Sequence, residues 1–180
     1  MIILPDQGLI FVAVPRTGSQ SIAYWLQKNF YLPGKGYPAT REHQKLDELQ
    51  TTEFEHFKSF CVIRDPLRRL VSICARFDPN FHSNPAQSIL KNLLAPLNRF
   101  NLPQTILSAG VKTKIPYEKF TQIPDIVGDL VGVMNLPKIP HYDTASPEGL
   151  VENLPNDIVD LVKARYLDDF KLLELLNAST

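Results

Sequence analysis

A short stretch near the start of the chain, FVAVPRTGSQSI at residues 11–22, joins an apolar run to a cationic loop with several hydroxyl groups. A loop that leaves a buried strand and enters a helix points backbone N–H groups toward one place, with the positive end of the helix dipole behind them. Gly18 lets the backbone approach a ligand closely. Hydroxyl donors and a fixed positive charge come from Thr17, Ser19, Ser21 and Arg16. This pattern predicts an anion site, and its simpler interpretation is an ordinary turn with a serine cap.

The loop departs from the signature of ATP and GTP loops, G-x-x-x-x-G-K-[ST]. With Gly18 as its second glycine, that signature needs glycine at position 13 and lysine at position 19, where this chain has Ala13 and Ser19. The position of the phosphate-binding lysine is therefore occupied by serine, which makes a nucleotide kinase the weaker alternative.

A second stretch, VIRDPLRRLVS at residues 62–72, places Arg64 at the end of an apolar run and Ser72 two helical turns beyond Asp65. In open α/β sheets, ligands bind outside the carboxyl ends of the strands, so we expect Arg64 and the first loop to share one crevice. The simpler interpretation of the other arginines of this stretch is a solvated helix face, at Arg68, Arg69 and Arg76.

The elements that position these residues alternate between strands and helices, which is typical of an α/β fold with a parallel sheet covered by helices on both faces. The predicted strands are residues 8–14, 57–63 and 111–117. The predicted helices are residues 19–30, 41–49, 66 onward, 85–94, 123–134 and 156–176, the last with a break near Tyr166. The chain has 180 residues, which predicts a single domain, residues 1–180.

Composition and charge argue against several classes of function. The chain is 44% hydrophobic, and no apolar run reaches the roughly 18 residues that span a bilayer. A formal net charge of zero argues against nucleic-acid binding, although five basic residues accompany one acid between Lys58 and Arg76. Cys61 and Cys74 lie among apolar neighbours, which predicts buried free thiols. With no signal sequence recognised, these features predict a cytoplasmic protein of a bacterium or virus, unless the chain is an excised catalytic domain.

Taken together, the two stretches resemble a known family. PRTGSQSI resembles the 5'-phosphosulfate loop of sulfotransferases, and VIRDPLRRLVS resembles their 3'-phosphate motif, with its arginine and serine eight positions apart. Two weaker matches follow in family order, IPYEKF at residues 115–120 and ARYLDDFKLL at residues 164–173, the latter similar to the terminal Tyr-x-x-Asp segment of the carbohydrate-type subgroup. The resemblance implies a three-layer fold like that of P-loop NTPases, with a parallel sheet flanked by helices.

The resemblance also implies a donor and roles for named residues. The implied donor is 3'-phosphoadenosine 5'-phosphosulfate (PAPS). No metal is expected, because a transferred sulfuryl group carries less charge than a phosphoryl group and no cluster of His, Cys or carboxylate residues has ligand spacing. Arg64 and Ser72 would hold its 3'-phosphate, while Arg16 would also neutralise charge on the leaving group. The 5'-phosphosulfate would be held by Arg16, Thr17, Gly18, Ser19, Gln20 and Ser21. The family usually has lysine at the position of Arg16, and a guanidinium does not readily donate a proton.

A general base must also accept a proton from the acceptor. His43 is the candidate, because REHQKLDEL lies between the two donor motifs, where related carbohydrate sulfotransferases often place a histidine before a short helix. The simpler interpretation of His43 is a solvated histidine. Glu42 is a second candidate, His141 is a weaker one, and His56 and His82 are expected at the surface.

The expected function is therefore sulfuryl transfer to a hydroxyl or amine of a small-molecule or glycan acceptor. A non-catalytic module of the same fold that binds the bisphosphate nucleotide is the alternative that Arg16 keeps open. Tyr117, Glu118, Tyr166 and Asp169 are expected to pack and cap, and Trp25 is expected in the core. The sequence does not specify the acceptor or the oligomeric state.

Overall fold

The structure is a computed structural model that describes residues 1–30, 45–46, 52–140 and 148–178. The chain divides into two compact units. The first, here called the sheet unit, comprises Met1–Ile63 and Leu107–Tyr142, and the second, the helical unit, comprises Arg64–Ile106 and Asp143–Thr180. The expectation of a single domain stays a prediction, and each unit is described by itself.

The sheet unit contains a mixed four-stranded sheet in the order β1-β2-β3-β4. Its strands are β1 (Ile2–Leu4), β2 (Leu9–Phe11), β3 (Lys58–Ile63) and β4 (Thr113–Pro116). The α/β class is confirmed, but the sheet is not wholly parallel, because β1 pairs antiparallel with β2. The chain reverses between these two strands through a single 3-10 turn at Pro5–Gln7, followed by Gly8 with φ +56. The pairs β2–β3 and β3–β4 are parallel.

The first predicted strand, residues 8–14, is only three residues long in the structure. Val12 still donates its N–H to the Phe60 carbonyl at 2.9 Å, and Val14 then donates to the Val12 carbonyl at 3.1 Å. This tight turn ends the sheet pairing and starts the loop that precedes the first helix. The third predicted strand is likewise reduced, from residues 111–117 to β4.

Eight α-helices lie in the described part of the chain. In chain order they are α1 (Ser19–Phe30), α2 (Pro66–Phe77), α3 (Pro85–Leu94), α4 (Gln104–Leu107), α5 (Ile123–Val131), α6 (Glu148–Val151), α7 (Asn156–Arg165) and α8 (Leu167–Ala178). Further 3-10 turns are Thr52–Phe54 and Tyr117–Gln122. The bounds of α1 and α3 are those predicted. Helix α5 ends at Val131, three residues earlier than predicted, because Gly132 follows it with φ +73. The helix predicted at residues 41–49 lies largely outside the described residues.

The core of the sheet unit lies between the sheet and α1. Phe11 and Phe60 pack with their ring centroids 4.9 Å apart, and Ile22 and Trp25 of α1 are buried in the same cluster. Trp25 is a core residue, as predicted, and its indole N–H donates to the Pro137 carbonyl at 2.6 Å. This cluster holds the first turn of α1 against the sheet.

The helical unit has its own core, formed mainly by α2, α3 and α7. Asp65 accepts the Arg68 N–H at 2.8 Å and Pro66 starts α2, as the sequence predicts for a capped helix. The predicted break near Tyr166 is confirmed, because α7 ends at Arg165 and α8 begins at Leu167.

No helix within the described ranges is long and apolar enough to cross a membrane. Cys61 and Cys74 are buried free thiols, as predicted.

Candidate functional site

The loop between β2 and α1 has an unusual backbone. Arg16 has φ +66 and Gly18 has φ +75, whereas Thr17 between them has a negative φ. Residues whose conformation alternates between left-handed and right-handed turn successive N–H groups toward one point, which forms a concave site for anions. These signs of φ are compatible with the predicted anion site, which stays a prediction.

Arg16 is strained. A non-glycine residue with positive φ costs about 1–3 kcal/mol and persists where the surrounding structure enforces it, often at functional sites. The Arg16 side chain is half-buried. The uncommon backbone makes Arg16 a candidate functional residue.

Thr17 stabilises the loop from within. Its side chain is 0% exposed, and its hydroxyl donates to the Val14 carbonyl at 2.9 Å. The sequence predicts that this hydroxyl binds the anion, whereas in the structure it donates within the turn.

The N-terminus of α1 continues the loop directly. Ile22 donates its N–H to the Gly18 carbonyl at 3.1 Å, and this bond begins the helical pattern. The N–H groups of Ser19, Gln20 and Ser21 precede it, and first-turn N–H groups have no intrahelical acceptor. Together with the helix dipole, these groups are suited to the predicted anion site. The Ser19 and Ser21 side chains are buried, and Gln20 is exposed.

The ring of Phe120 packs closely against Gly18, a contact that the sequence does not predict. A Cβ atom built on Gly18 would collide with Cε2 of the Phe120 ring. The ring itself is buried and lies 5.5 Å from the ring of Tyr117. The signal in the sequence was the IPYEKF segment, whose last residue is this phenylalanine. Glycine is therefore required at position 18 by space as well as by φ.

The second predicted site begins at Arg64, the residue that follows β3. Arg64 is 7% exposed, and its backbone is held on both sides by one side chain. Its N–H donates to Oε1 of Gln104 at 2.9 Å, and its carbonyl accepts from Nε2 of Gln104 at 2.7 Å. An amide side chain has both an acceptor and a donor, so Gln104 can pair the N–H and the carbonyl of Arg64 at the same time.

Gln104 is in turn held by a buried carboxylate. Asp169 is 0% exposed and accepts the N–H of Gln104 at 2.7 Å and the N–H of Thr105 at 2.8 Å. The Thr105 hydroxyl also donates to Asp169, at 2.9 Å. Asp169 thus caps α4, in line with the expected capping role. Gln104 was missed, because the contact joins residues 40 positions apart.

Arg69 corrects one expectation. It is 2% exposed rather than solvated, and it donates to the Leu102 carbonyl at 3.0 Å and the Phe100 carbonyl at 2.8 Å. Burial lowers the pKa of its guanidinium to about 10, and the charge of Asp169 opposes this effect. Arg68 and Arg76 are exposed, as expected.

Ser72 lies on α2 and is buried. Arg64 and Ser72 both belong to the helical unit, whereas residues 16–21 belong to the sheet unit. The shared crevice expected from the sequence stays a prediction.

Three candidate bases lie outside the described residues: His43, Glu42 and His141. His56 and His82 are exposed, as expected. Among the described residues, no group of three or more His, Cys, Asp or Glu side chains is placed to hold a metal ion.

Comparison with known proteins gives one match. A sequence model described as the sulfotransferase family matches residues 1–123, which contain PRTGSQSI, VIRDPLRRLVS and IPYEKF. Residues 124–180, with the ARYLDDFKLL segment, lie beyond the match. No curated protein and no solved structure matches the chain.

Proposed function

The chain belongs to the sulfotransferase family, and from that premise we propose that it transfers a sulfuryl group from PAPS to a hydroxyl or amine of a small-molecule or glycan acceptor. The observation that supports this most directly is the loop at residues 16–21, in which two left-handed residues lead into a helix N-terminus, an arrangement suited to binding an anion. The two family motifs that the match contains supply the rest of the proposal.

Sulfuryl transfer breaks the bond from sulfur to the oxygen that bridges to the 5'-phosphate and forms a new bond from sulfur to the acceptor oxygen or nitrogen. The acceptor proton passes to a base, and adenosine 3',5'-bisphosphate leaves with the bridging oxygen. As in phosphoryl transfer, the protein contributes positioning and charge stabilisation. A preorganised set of N–H donors is suited to this task.

The backbone N–H groups of residues 17–21 are assigned to the phosphosulfate group. Their arrangement is fixed before a ligand binds, because Thr17 closes the turn and Phe120 packs on Gly18. Arg16 is assigned to the developing charge on the leaving group, which a guanidinium neutralises by hydrogen bonding without giving up a proton.

Arg64 and Ser72 are assigned to the 3'-phosphate, the group that distinguishes this donor from ATP. The bidentate donors of an arginine suit a phosphate. The support is the family motif together with the fixed backbone of Arg64.

His43 is proposed as the base that accepts the acceptor proton, with Glu42 as its substitute. A neutral imidazole has a pKa suited to proton transfer near pH 7. The His43→Ala and Glu42→Ala variants distinguish the two by their effect on turnover. Full activity of His43→Ala would remove His43 from the mechanism.

A second candidate function is binding of the bisphosphate nucleotide without turnover. The observation that favours it is Arg16 at the position where the family usually has lysine. Both candidate functions predict a preference for the bisphosphate nucleotide, and they differ only in whether a sulfuryl group is transferred.

Turnover decides between them. Donor labelled in the sulfuryl group is incubated with a panel of glycans, small alcohols, amines and peptides, and labelled product is separated from donor. We expect transfer to at least one acceptor, with loss of transfer in Arg16→Ala. Tight binding of the bisphosphate with no transfer to any class of acceptor would favour the binding module instead.

A further inference from the structure

The helical unit contains a chain of buried polar contacts that ends at Arg64. We propose that Asp169 is a positioning residue for the 3'-phosphate site, acting through α4 and Gln104 on the backbone of Arg64. The inference rests on the proposed function, since it concerns the arginine assigned to the 3'-phosphate. It adds a residue from the part of the chain beyond the family match.

The first step is that α4 depends on Asp169. This helix has four residues, so it is a single turn with little stability of its own. Both carboxylate oxygens of Asp169 accept hydrogen bonds from its first two residues, at 2.7 Å and 2.8 Å. Asp169 lies in the first turn of α8, where the helix dipole also favours a negative charge.

The second step is that Gln104 depends on α4. Its backbone N–H is bound by Asp169, and its side-chain amide brackets Arg64 at 2.9 Å and 2.7 Å. Gln104 is completely buried, so its rotamer is set by its surroundings. A shift of the α4 backbone therefore moves the amide that fixes Arg64.

The third step is that the preceding segment is held as well. Arg69 donates to the carbonyls of Phe100 and Leu102, which lead into α4. Tyr166, one turn before Asp169, donates its hydroxyl to the Asn101 carbonyl at 2.9 Å. These contacts hold residues 100–102, and Asp169 holds the two residues that follow Pro103. Asp169 is therefore linked to Arg64 by one intervening residue, Gln104, to which both are hydrogen-bonded.

A cap that is only structural would lower stability without changing ligand preference. A positioning residue changes the preference for a 3'-phosphate more than it changes binding of the rest of the nucleotide. The readout is therefore the ratio of the Kd for adenosine 5'-monophosphate to the Kd for adenosine 3',5'-bisphosphate, measured by calorimetry on the whole protein below its Tm.

We expect Asp169→Asn to lower this ratio about tenfold, with the monophosphate Kd changed less than about twofold, because a displaced arginine loses a charge-assisted hydrogen bond. Gln104→Met keeps the side-chain length and removes both bonds to Arg64, so it is expected to act in the same direction. Ser88→Ala is the matched control: it removes the hydrogen bond that a buried hydroxyl of the same unit donates to Asp78 at 2.9 Å, outside this network, and is expected to lower Tm with the ratio unchanged.

A double-mutant cycle with Arg64→Ala gives the closing test. If Asp169 acts through Arg64, Asp169→Asn adds no further loss of the ratio in the Arg64→Ala background. A ratio in Asp169→Asn and Gln104→Met equal to that of the parent protein would overturn the inference while leaving the proposed function intact. A parent protein with no preference for the bisphosphate would overturn both.

Discussion

At the scale of single residues, Gly18 and Arg16 show what the loop requires. Gly18 needs both a left-handed backbone and the absence of a Cβ atom, because Phe120 occupies that space. Arg16 also has a positive φ although it is not glycine, a conformation that is uncommon and is often found at functional sites.

Gly18→Ala is expected to destabilise the protein by about 1–3 kcal/mol and to weaken bisphosphate binding, through strain at φ +75 and the collision with Phe120. Denaturant unfolding and calorimetry measure the two effects. Phe120→Leu in the same chain makes room for the new methyl group, so the double variant should lose less than the sum of the single variants. Additive losses would show that the Phe120 contact is unimportant.

Arg16 is tested by two substitutions with the same acceptor. We expect Arg16→Lys to keep donor binding and to raise kcat, because an ammonium neutralises the leaving group and also donates a proton. Arg16→Ala is expected to lower kcat about 100-fold or more. The rate of the parent protein in Arg16→Ala would exclude Arg16 from the transfer step.

At the scale of elements, local sequence patterns predict most of the helices. They do not predict contacts between residues far apart in the sequence. Asp65 and Pro66 predict the start of α2, and the structure has the cap that they imply. β1 was missed because it has three residues and pairs across a single 3-10 turn. Arg69 was misassigned because a helical wheel orders residues around one helix and does not show which other segments cover it. The contact of Gln104 with Arg64 has no local signature at all.

We expect the stability of the junction between α2 and α3 to depend on pH through Asp78. The Asn80 N–H and the Ser88 hydroxyl donate to this carboxylate, at 3.0 Å and 2.9 Å, and lower its pKa below the ordinary 3.8. Since the folded pKa is the lower one, the ionised group contributes stability above the ordinary pKa, and this contribution is lost as the pH falls through the folded value.

Asp78→Ala should therefore have a lower Tm than the parent at neutral pH, with the difference shrinking below pH 3.8. Thermal unfolding followed by circular dichroism across the acid range measures it. Asp160→Ala is the control, because its ion pair with Lys163 is exposed and 3.9 Å long and should contribute little. A difference that persists unchanged to low pH would show that Asp78 acts by packing rather than by charge.

At the scale of the whole molecule, the two cysteines report on the two units. Cys61 lies on β3 of the sheet unit and Cys74 on α2 of the helical unit. Burial raises the pKa of both thiols to about 12, so neither is a thiolate near neutrality. We expect no reaction with a disulfide reagent at pH 8 in the folded protein and two reactive thiols in denaturant.

The same labelling tests the single-domain prediction. The Cys61→Ser variant retains the thiol of Cys74, and the Cys74→Ser variant retains that of Cys61. If the chain unfolds as one domain, the two thiols should become reactive at the same denaturant concentration. Separate midpoints would show that the units unfold independently.

The proposed function requires that this protein recognise a nucleotide with phosphate groups at both the 3' and 5' positions. Calorimetric titration with adenosine 3',5'-bisphosphate, adenosine 5'-monophosphate and ATP tests it most directly. We expect the tightest binding for the bisphosphate, with the preference lost in Arg64→Ala and kept in Arg76→Ala, a variant of an exposed arginine in α2. Equal or tighter binding of ATP by the parent protein would contradict it.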